Sequence, residues 1–263
     1  LIGDRRSSRR AFLGWAGGSA AAGWLAKPAH ASAWDEADRI LARIQPPVFP
    51  KRDFEVIRYG AVGDGRTDCS KAIARAIAEC TRAGGGRVVF PAGVFFTGPI
   101  RLKSNVNLHV PEGATLKFNR DPQRYLPVVY TRYEGIECLN YSALIYADGE
   151  ENLAVTGGGT LDGQADCEHW WPWKGRENCG WRPGAPGQDE ARNRLIEMGA
   201  TDVPIEKRVF GEGRYLRPNL FGPCRSKNIL LEGVTVKDSP MFEVSPLLCS
   251  NVTIRNVNVV GLG

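Results

Sequence analysis

Four short segments of the chain share one pattern: a residue and an Asn, then apolar–x–apolar. They are Ser104-Asn105-Val106-Asn107-Leu108, Glu151-Asn152-Leu153-Ala154-Val155, Lys227-Asn228-Ile229-Leu230-Leu231 and Ser250-Asn251-Val252-Thr253-Ile254. Asn228 and Asn251 lie 23 residues apart, and Asn105 and Asn152 lie 47 apart, close to twice that spacing. A unit in the low twenties with one turn-forming Asn and short alternating runs is the mark of a solenoid. Alternation on strands this short puts one face inward and one outward. A leucine-rich repeat has a similar period but needs a Leu-rich consensus that these segments lack. A stacked parallel β-helix fits better, with the Asn side chains able to form a ladder from coil to coil; a β-sandwich with chance Asn–apolar pairs is the competing reading.

One helix stands out from this strand pattern. Cys69, Ala72, Ile73, Ala76, Ile77 and Cys80 mark a single apolar face at helical spacing. Thr67 or Asp68 is placed to cap its start and Gly84 to end it. Cys69 and Cys80 would stand roughly 16 Å apart along the helix axis, too far to bridge, so both read as packing residues. A further short helix is expected over residues 35–44, ended by Gln45-Pro46-Pro47, because Pro lacks the N–H and restricts the residue before it. Residues 54–59 read as a strand ending at Gly60. Between Gly163 and about Arg217 the regularity breaks, and the stretch holds Trp170, Trp171, Trp173 and Trp181. A loop of that length is usually functional or disordered, and its aromatic content argues against disorder.

The first residues read as an address rather than as fold. Arg9-Arg10-Ala11-Phe12-Leu13 opens an apolar stretch that runs to about Ala26, and Ala29-His30-Ala31 and Ala31-Ser32-Ala33 offer small residues at cleavage spacing. Basic, apolar, then small–x–small is the order of a secretory signal, and the Arg pair points to the twin-arginine route. The apolar segment is short against the roughly 20 residues a spanning helix needs, so no stable membrane span is expected. The domains then read as a signal over 1–33, a linker with a short helix over 34–52, and a β-helix over 53–263 with a Trp-rich insert at 164–217. Export implies a periplasmic or secreted protein, with the twin-arginine machinery as a partner.

The net charge of +5 comes mostly from the leader: without residues 1–31 the chain carries 29 basic and 28 acidic side chains. No long basic stripe remains to track phosphates, which argues against nucleic acid as a partner. Seven cysteines cannot all pair within the chain. No Cys-x-x-Cys occurs, and His109 and His169 are far apart in sequence, so a zinc site is not expected. Cys167 and Cys179 are spaced to bridge; two free thiols is the alternative.

At this point an ordered set of motifs resembles a known family. The set begins with Tyr59-Gly60-Ala61-Val62-Gly63-Asp64-Gly65-x-Thr67-Asp68 and continues with Gly84-Gly85-Gly86-x-Val88-Val89-Phe90-Pro91-Ala92-Gly93. Then come Gly98-Pro99-Ile100, Gly157-Gly158-Gly159-Thr160-Leu161-Asp162-Gly163 and Ser239-Pro240-Met241-Phe242. Over residues 45–263 the chain is similar to glycoside hydrolase family 28, the polygalacturonases and rhamnogalacturonases. The resemblance implies a right-handed parallel β-helix capped at its N-terminal end by the short helix. It also implies inverting hydrolysis of galacturonosyl links in pectic polysaccharide or oligogalacturonide, without metal or organic cofactor. The alternatives are a non-catalytic polysaccharide-binding or scaffold β-helix and a calcium-dependent pectate lyase.

The family's motifs Asn-x-Asp, Asp-Asp, Gly-His and Arg-x-Lys do not occur here in that order. Asn119-Arg120-Asp121 and Arg101-Leu102-Lys103 have two of the spacings but lie far upstream of Ser239, and read as decoys. A His is common in the family where Ser245-Pro246 stands. The expectation is therefore a chain cut before its catalytic motifs, with no catalytic residue before Gly263. Asp64, Asp68 and Asp162, in Gly-rich turns, read as turn or cap acceptors. The candidate substrate-binding residues are Trp170, Trp171, Trp173 and Arg217. The three Trp rings would either stack on sugar faces or pack the insert onto the barrel. Arg217 would meet a galacturonate carboxylate or a structural ion-pair partner.

Overall fold

The structure is a computed structural model that describes residues 33–261. The expected signal over 1–33 lies, but for its last residue, outside the described residues. Helix α1 (Ala33–Arg43) forms a unit of its own and matches the expected short helix. No helix among the described residues is long and apolar enough to cross a membrane.

From residue 44 onward the chain winds as stacked coils. The first contains β1 (Asp53–Glu55), a tight 3₁₀ turn at Val56–Tyr59, and β2 (Asp64–Asp68), and leads into α2 (Ser70–Arg82). Then follow β3 (Gly86–Val89), β4 (Gly93–Thr97) and β5 (Ile100–Arg101), and next β6 (Val106–His109) and β7 (Ala114–Phe118). A hairpin of β8 (Val129–Tyr133) and β9 (Ile136–Asn140) stands out from the stack before β10 (Ile145–Asp148), β11 (Glu151–Thr156) and β12 (Thr160–Asp162). The long insert holds α3 (Asp189–Ala200) and β13 (Val209–Phe210). The stack resumes with β14 (Phe221–Cys224), β15 (Lys227–Glu232), β16 (Thr235–Lys237), β17 (Ser250–Arg255) and β18 (Asn258–Val260).

Three parallel sheets result: β1-β3-β6-β11-β15-β17, β2-β4-β7-β12-β16-β18, and β5-β10-β14. Bridges Phe221–Val244 and Cys224–Leu247 carry the third one coil further. This is the expected parallel β-helix. Its core is built of rungs, like residue over like residue. Val88, Leu108, Val155 and Leu231 are in register on the first sheet, and Phe95, Leu116, Leu161 and Val236 on the second. All eight are fully buried, each contributing roughly 1.5–3 kcal/mol. The last rungs, Ile254 at 46% and Val259 at 54% exposed, have no coil stacked on them among the described residues.

The repeated Asn residues form the expected ladder. Asn105, Asn152, Asn228 and Asn251 have φ of 64°, 56°, 59° and 50°, a left-handed turn that Asn tolerates better than any bulky residue. Asn152 Nδ2 donates to Asn105 Oδ1 at 2.9 Å, Asn228 to Asn152 at 2.7 Å, and Asn251 to Asn228. Each turn thus holds the one below it. In the Gly-Gly-Gly motif, Gly157 sits at φ +119° and a Cβ there would lie 2.0 Å from the Val110 carbonyl oxygen, so only glycine lets the coils close up.

Helix α2 rests its apolar face on β1, β3, β5 and β6, covering the N-terminal end of the stack. Cys69 and Cys80 are both fully buried, as packing residues. Asp68 Oδ1 accepts from the Ser70 N–H at 2.9 Å. At the other end Gly84, at φ +83°, and Gly85 donate to Thr81 and Cys80 carbonyls, closing the helix as expected.

Two expectations need correction. The strand expected over residues 54–59 stops at Glu55, because the chain tightens: Gly60 N–H bonds Ile57 O, Ala61 N–H bonds Val56 O, and Arg75 holds the Tyr59 carbonyl. The insert is not irregular throughout. Its α3 buries Ala191 and Leu195 against Tyr133, Cys138, Phe210 and Leu216, and β13 pairs with β9. Insert and hairpin together make a small side module with its own core.

Candidate substrate cleft

The aromatic cluster of the insert divides its labour. Trp170 is 2% exposed, at φ +67°, and is wedged edge-on against Tyr125, Tyr141 and Trp173 with ring centroids 5.5, 6.4 and 5.0 Å away. It presents no ring face to solvent, so this candidate sugar platform is corrected to a packing residue. Its Nε1 has no hydrogen-bond partner, so the ring is held by shape alone. Trp173 packs edge-on against Tyr215 at 5.1 Å and anchors the insert in the same way. Trp171 differs: half-buried, it donates Nε1 to the Ser239 carbonyl at 3.0 Å and lines an open cleft of about 510 Å³.

Arg217 lies in the wall of that cleft, 9% exposed. Its Nη1 donates to the Pro240 carbonyl at 2.9 Å and its Nε to Gln188 Oε1 at 3.3 Å. Gln188 Oε1 also accepts from the Tyr133 hydroxyl at 2.6 Å. Gln188 is 7% and Tyr133 2% exposed, so the start of α3, the end of β8 and the irregular segment leading to β14 converge on one buried polar knot. The structural ion pair expected for Arg217 does not form. Among the described residues no carboxylate lies within 4 Å of its guanidinium, whose partners are a neutral amide and a carbonyl. Burial lowers the Arg217 pKa from its ordinary value and pushes the Tyr133 hydroxyl up to about 12. An Arg remains charged under any ordinary condition. The result is a buried cation with no carboxylate in direct contact, answered only at a distance by Glu134.

The rest of the cleft strengthens that bias. Lys174 and Arg176 line it and form no ion pair among the described residues, and Arg192 is held by Glu134 at 2.5 Å. Asp189 and Glu243 are the other acidic groups at its rim. The Ser239-Pro240-Met241-Phe242 motif lines the cleft beside Arg217 and Trp171 as a closed turn: Ser239 Oγ donates to Phe242 O at 2.9 Å, and Phe242 N–H bonds Asn219 Oδ1. Sequence reasoning placed Trp171 and Arg217 in a site but missed Tyr133, Glu134, Lys174, Arg176, Gln188 and Arg192. The run of basic residues through the insert was the available signal for the cations. For Gln188 and Tyr133 none existed, since their role depends on the meeting of two distant segments.

The structure also settles the smaller candidates. Cys167 and Cys179 form a disulfide across 12 residues of the insert. Asp64 accepts from Arg66 N, Thr67 N and Thr67 Oγ1 within 2.7–2.9 Å, and Asp162 pairs with Lys237 at 3.1 Å and accepts from Gln164 N. Asp121 accepts from Gln123 N at a 3₁₀ start, Arg120 pairs with Asp166, and Lys103 pairs with Glu150. The two decoy triplets are therefore occupied separately and form no joint site.

With the geometry in place, comparison with known proteins is informative. A family described as rhamnogalacturonase A/epimerase, pectate lyase-like, matches residues 54–115. The exopolygalacturonase of Thermotoga maritima is 52% identical with a TM-score of 0.83, covering 86% of this chain and 50% of that one. The family 28 exopolygalacturonase of Yersinia enterocolitica is 25% identical with a TM-score of 0.58, covering 81% of this chain and 39% of that one. The exo-poly-alpha-D-galacturonosidase of Dickeya chrysanthemi is 31% identical over 155 residues, 56% of this chain and 23% of the relative. The chain spans half or less of the length of these relatives. Stacked coils, the ordered turn motifs and these likenesses agree: the chain belongs to glycoside hydrolase family 28, the polygalacturonase family with the pectin lyase-like fold.

Proposed function

We propose that the chain supplies the coil stack and the sugar-acid cleft of an exported pectin hydrolase of the exopolygalacturonase kind. The observation that carries this reading is Arg217, a buried guanidinium in a cleft wall with no carboxylate within 4 Å of it among the described residues. A planar carboxylate entering the cleft would complete charge-assisted bonds that are strong where water is excluded. Lys174 and Arg176 would receive neighbouring uronates, and the exposed part of Trp171 would meet the apolar face of a sugar ring. The names of the three relatives support the hydrolytic, chain-end reading.

Inverting hydrolysis needs an acid and a base carboxylate about 6.5–9.5 Å apart. That step is proposed for the whole protein, and uronate binding for this stretch of it. Export rests on the twin-arginine pattern of the leader. It puts the protein in the periplasm or outside the cell.

Arg217→Gln keeps an N–H donor but shortens the side chain and removes its charge. Calorimetric titration with digalacturonate should show a loss of roughly 10- to 100-fold in affinity, the scale of a hydrogen bond to a charged group, with the melting curve kept cooperative. Unchanged affinity would remove Arg217 from the site. Polygalacturonate treated with the whole protein should gain reducing ends without the ultraviolet absorbance of an unsaturated product. Appearance of that absorbance would make it a lyase, and binding without turnover would leave a sugar-binding scaffold.

A further inference from the structure

Two of the cations that line the Arg217 cleft, Lys174 and Arg176, stand on a loop of residues 174–187 that is barely attached to the rest of the molecule. Among the described residues its hydrogen bonds stay within the loop or its neck. Gly175 N–H bonds Pro172 O, Gly180 N–H bonds Glu177 O, Ala185 N–H bonds Arg182 O, and the Trp181 indole donates to the Ala185 and Pro186 carbonyls. Lys174, Arg176, Glu177 and Arg182 form no ion pair among the described residues. The loop starts and ends at one place, where Gln188 N–H donates to Trp173 O at 2.7 Å. A compact surface loop closed at its neck is an Ω-loop. One strong link holds its far part, the Cys167–Cys179 disulfide. The Cys167 end is itself fastened to the stack: Ala165 N–H bonds Asp238 O at 2.9 Å, and Asp166 pairs with Arg120 at 3.1 Å.

This pair also differs from the other five cysteines in its access to solvent. Cys167 is exposed and Cys179 half-buried, while Cys69, Cys80, Cys138 and Cys224 are buried. Burial pushes the Cys80 thiol up to about 11 and those of Cys138 and Cys224 up to about 12, and it raises Cys69 and Cys249 as well. Those thiols stay protonated and poorly reactive. Thiol–disulfide exchange needs a sulfur that a thiolate can reach, and Cys167 offers one. An attacking thiolate breaks the Sγ–Sγ bond, forms a mixed disulfide and leaves the other cysteine as a thiolate, which takes up a proton. A second thiol then releases the first cysteine. Closure is the reverse: a small-molecule or protein disulfide accepts two electrons and departs as two thiols, carrying off both protons.

We propose that the Cys167–Cys179 bond is a redox clasp on the cleft. Closed, it holds Lys174 and Arg176 beside Arg217; open, it lets the loop swing from its neck and takes both cations from the rim. Thiols stay reduced in the cytoplasm and pair in oxidising compartments. An exported chain therefore gains its full affinity for sugar acids only after it leaves the cytoplasm. The effect on binding rests on the uronate reading of the cleft given above; the tether stands on its own residues.

Calorimetric titration of the whole protein with digalacturonate, before and after treatment with dithiothreitol, tests it. Reduction should weaken binding roughly tenfold, because the ligand must then order the loop, and the melting curve should stay cooperative. The double variant Cys167→Ser, Cys179→Ser should bind like the reduced protein with or without dithiothreitol. Trypsin supplies a second reading: cleavage after Lys174, Arg176 and Arg182 should be fast in the reduced protein and slow in the oxidised one. Equal affinity in the two states, with release of both thiols verified, would overturn the clasp. So would equal rates of cleavage. If Arg217→Gln weakens binding and reduction does not, the clasp falls and the uronate seat stands. If reduction weakens binding and Arg217→Gln does not, Arg217 leaves the site and the clasp holds.

Discussion

The coil stack and the side module are held together in opposite ways. In the stack the same contact is made again and again: Leu108 under Val155 under Leu231, Asn105 under Asn152 under Asn228. Each residue needs only a like neighbour one coil away, so the period in the sequence and the spacing in space are the same fact. The side module makes each contact once. Trp170 fits one gap between Tyr125, Tyr141 and Trp173, and Gln188 joins Tyr133 to Arg217 across segments 55 and 29 residues away. Repetition gives a rigid scaffold without specificity, and the single-use contacts create the clefts.

The comparison can be broken first at its tightest point. Gly157→Val would drive a side chain into the Val110 carbonyl oxygen at a φ that valine cannot adopt, at a cost of about 4 kcal/mol or more. Loss of the cooperative melting transition is expected. A stable, cooperatively melting variant would show that the coils can move apart, and the rung picture would fail.

Trp170→Ala should cost about 3–5 kcal/mol, since a large buried ring leaves a cavity where stack and insert meet. Trp170→Phe should cost much less, because the Nε1 of the indole has no bond to lose. Hydrogen exchange would sharpen the contrast: the insert amides should lose protection before those of β6, β11 and β15. Simultaneous loss in both regions would mean they are one cooperative unit.

A single rung of the ladder is worth less. Asn228→Gly keeps the left-handed backbone but removes two side-chain bonds, and should lower denaturant stability by about 1–2 kcal/mol. Asn228→Ala should be worse, for it adds backbone strain. Equal stability of the two variants would show that the turn conformation matters little.

The smallest effect concerns Asp64, whose carboxyl is held down from 3.8 to about 2, first by the Thr67 backbone N–H. With its pKa lower when folded, Asp64 adds stability that is fully present above about pH 4 and lost as pH falls towards 2. Asp64→Asn should flatten that part of the acid unfolding curve slightly. An unaltered curve would mean that the turn persists in the unfolded chain.

How much could be read in advance follows from the same contrast. The period of about 23 residues, the apolar face of the capping helix and the glycines of the tight turns specify local geometry and nearest-neighbour packing, both written in consecutive residues. They led to the parallel β-helix, the Asn ladder and the burial of Cys69 and Cys80. The strand expected over residues 54–59 failed because its pattern suited a strand while the end of the stack required a tight turn. The hairpin of β8 and β9 escaped notice although its own register is local, because it completes its sheet only with β13, some 70 residues on.

What the sequence determined by itself is therefore the scaffold and the family, since a repeat carries its own folding rule. Only the tertiary structure decided that Trp170 is buried while Trp171 lines a cleft, although they are adjacent in the chain. It also decided that Arg217 meets an amide and a carbonyl instead of a carboxylate. Burial and charge compensation are properties of what surrounds a side chain, and around Arg217 three distant segments supply those surroundings.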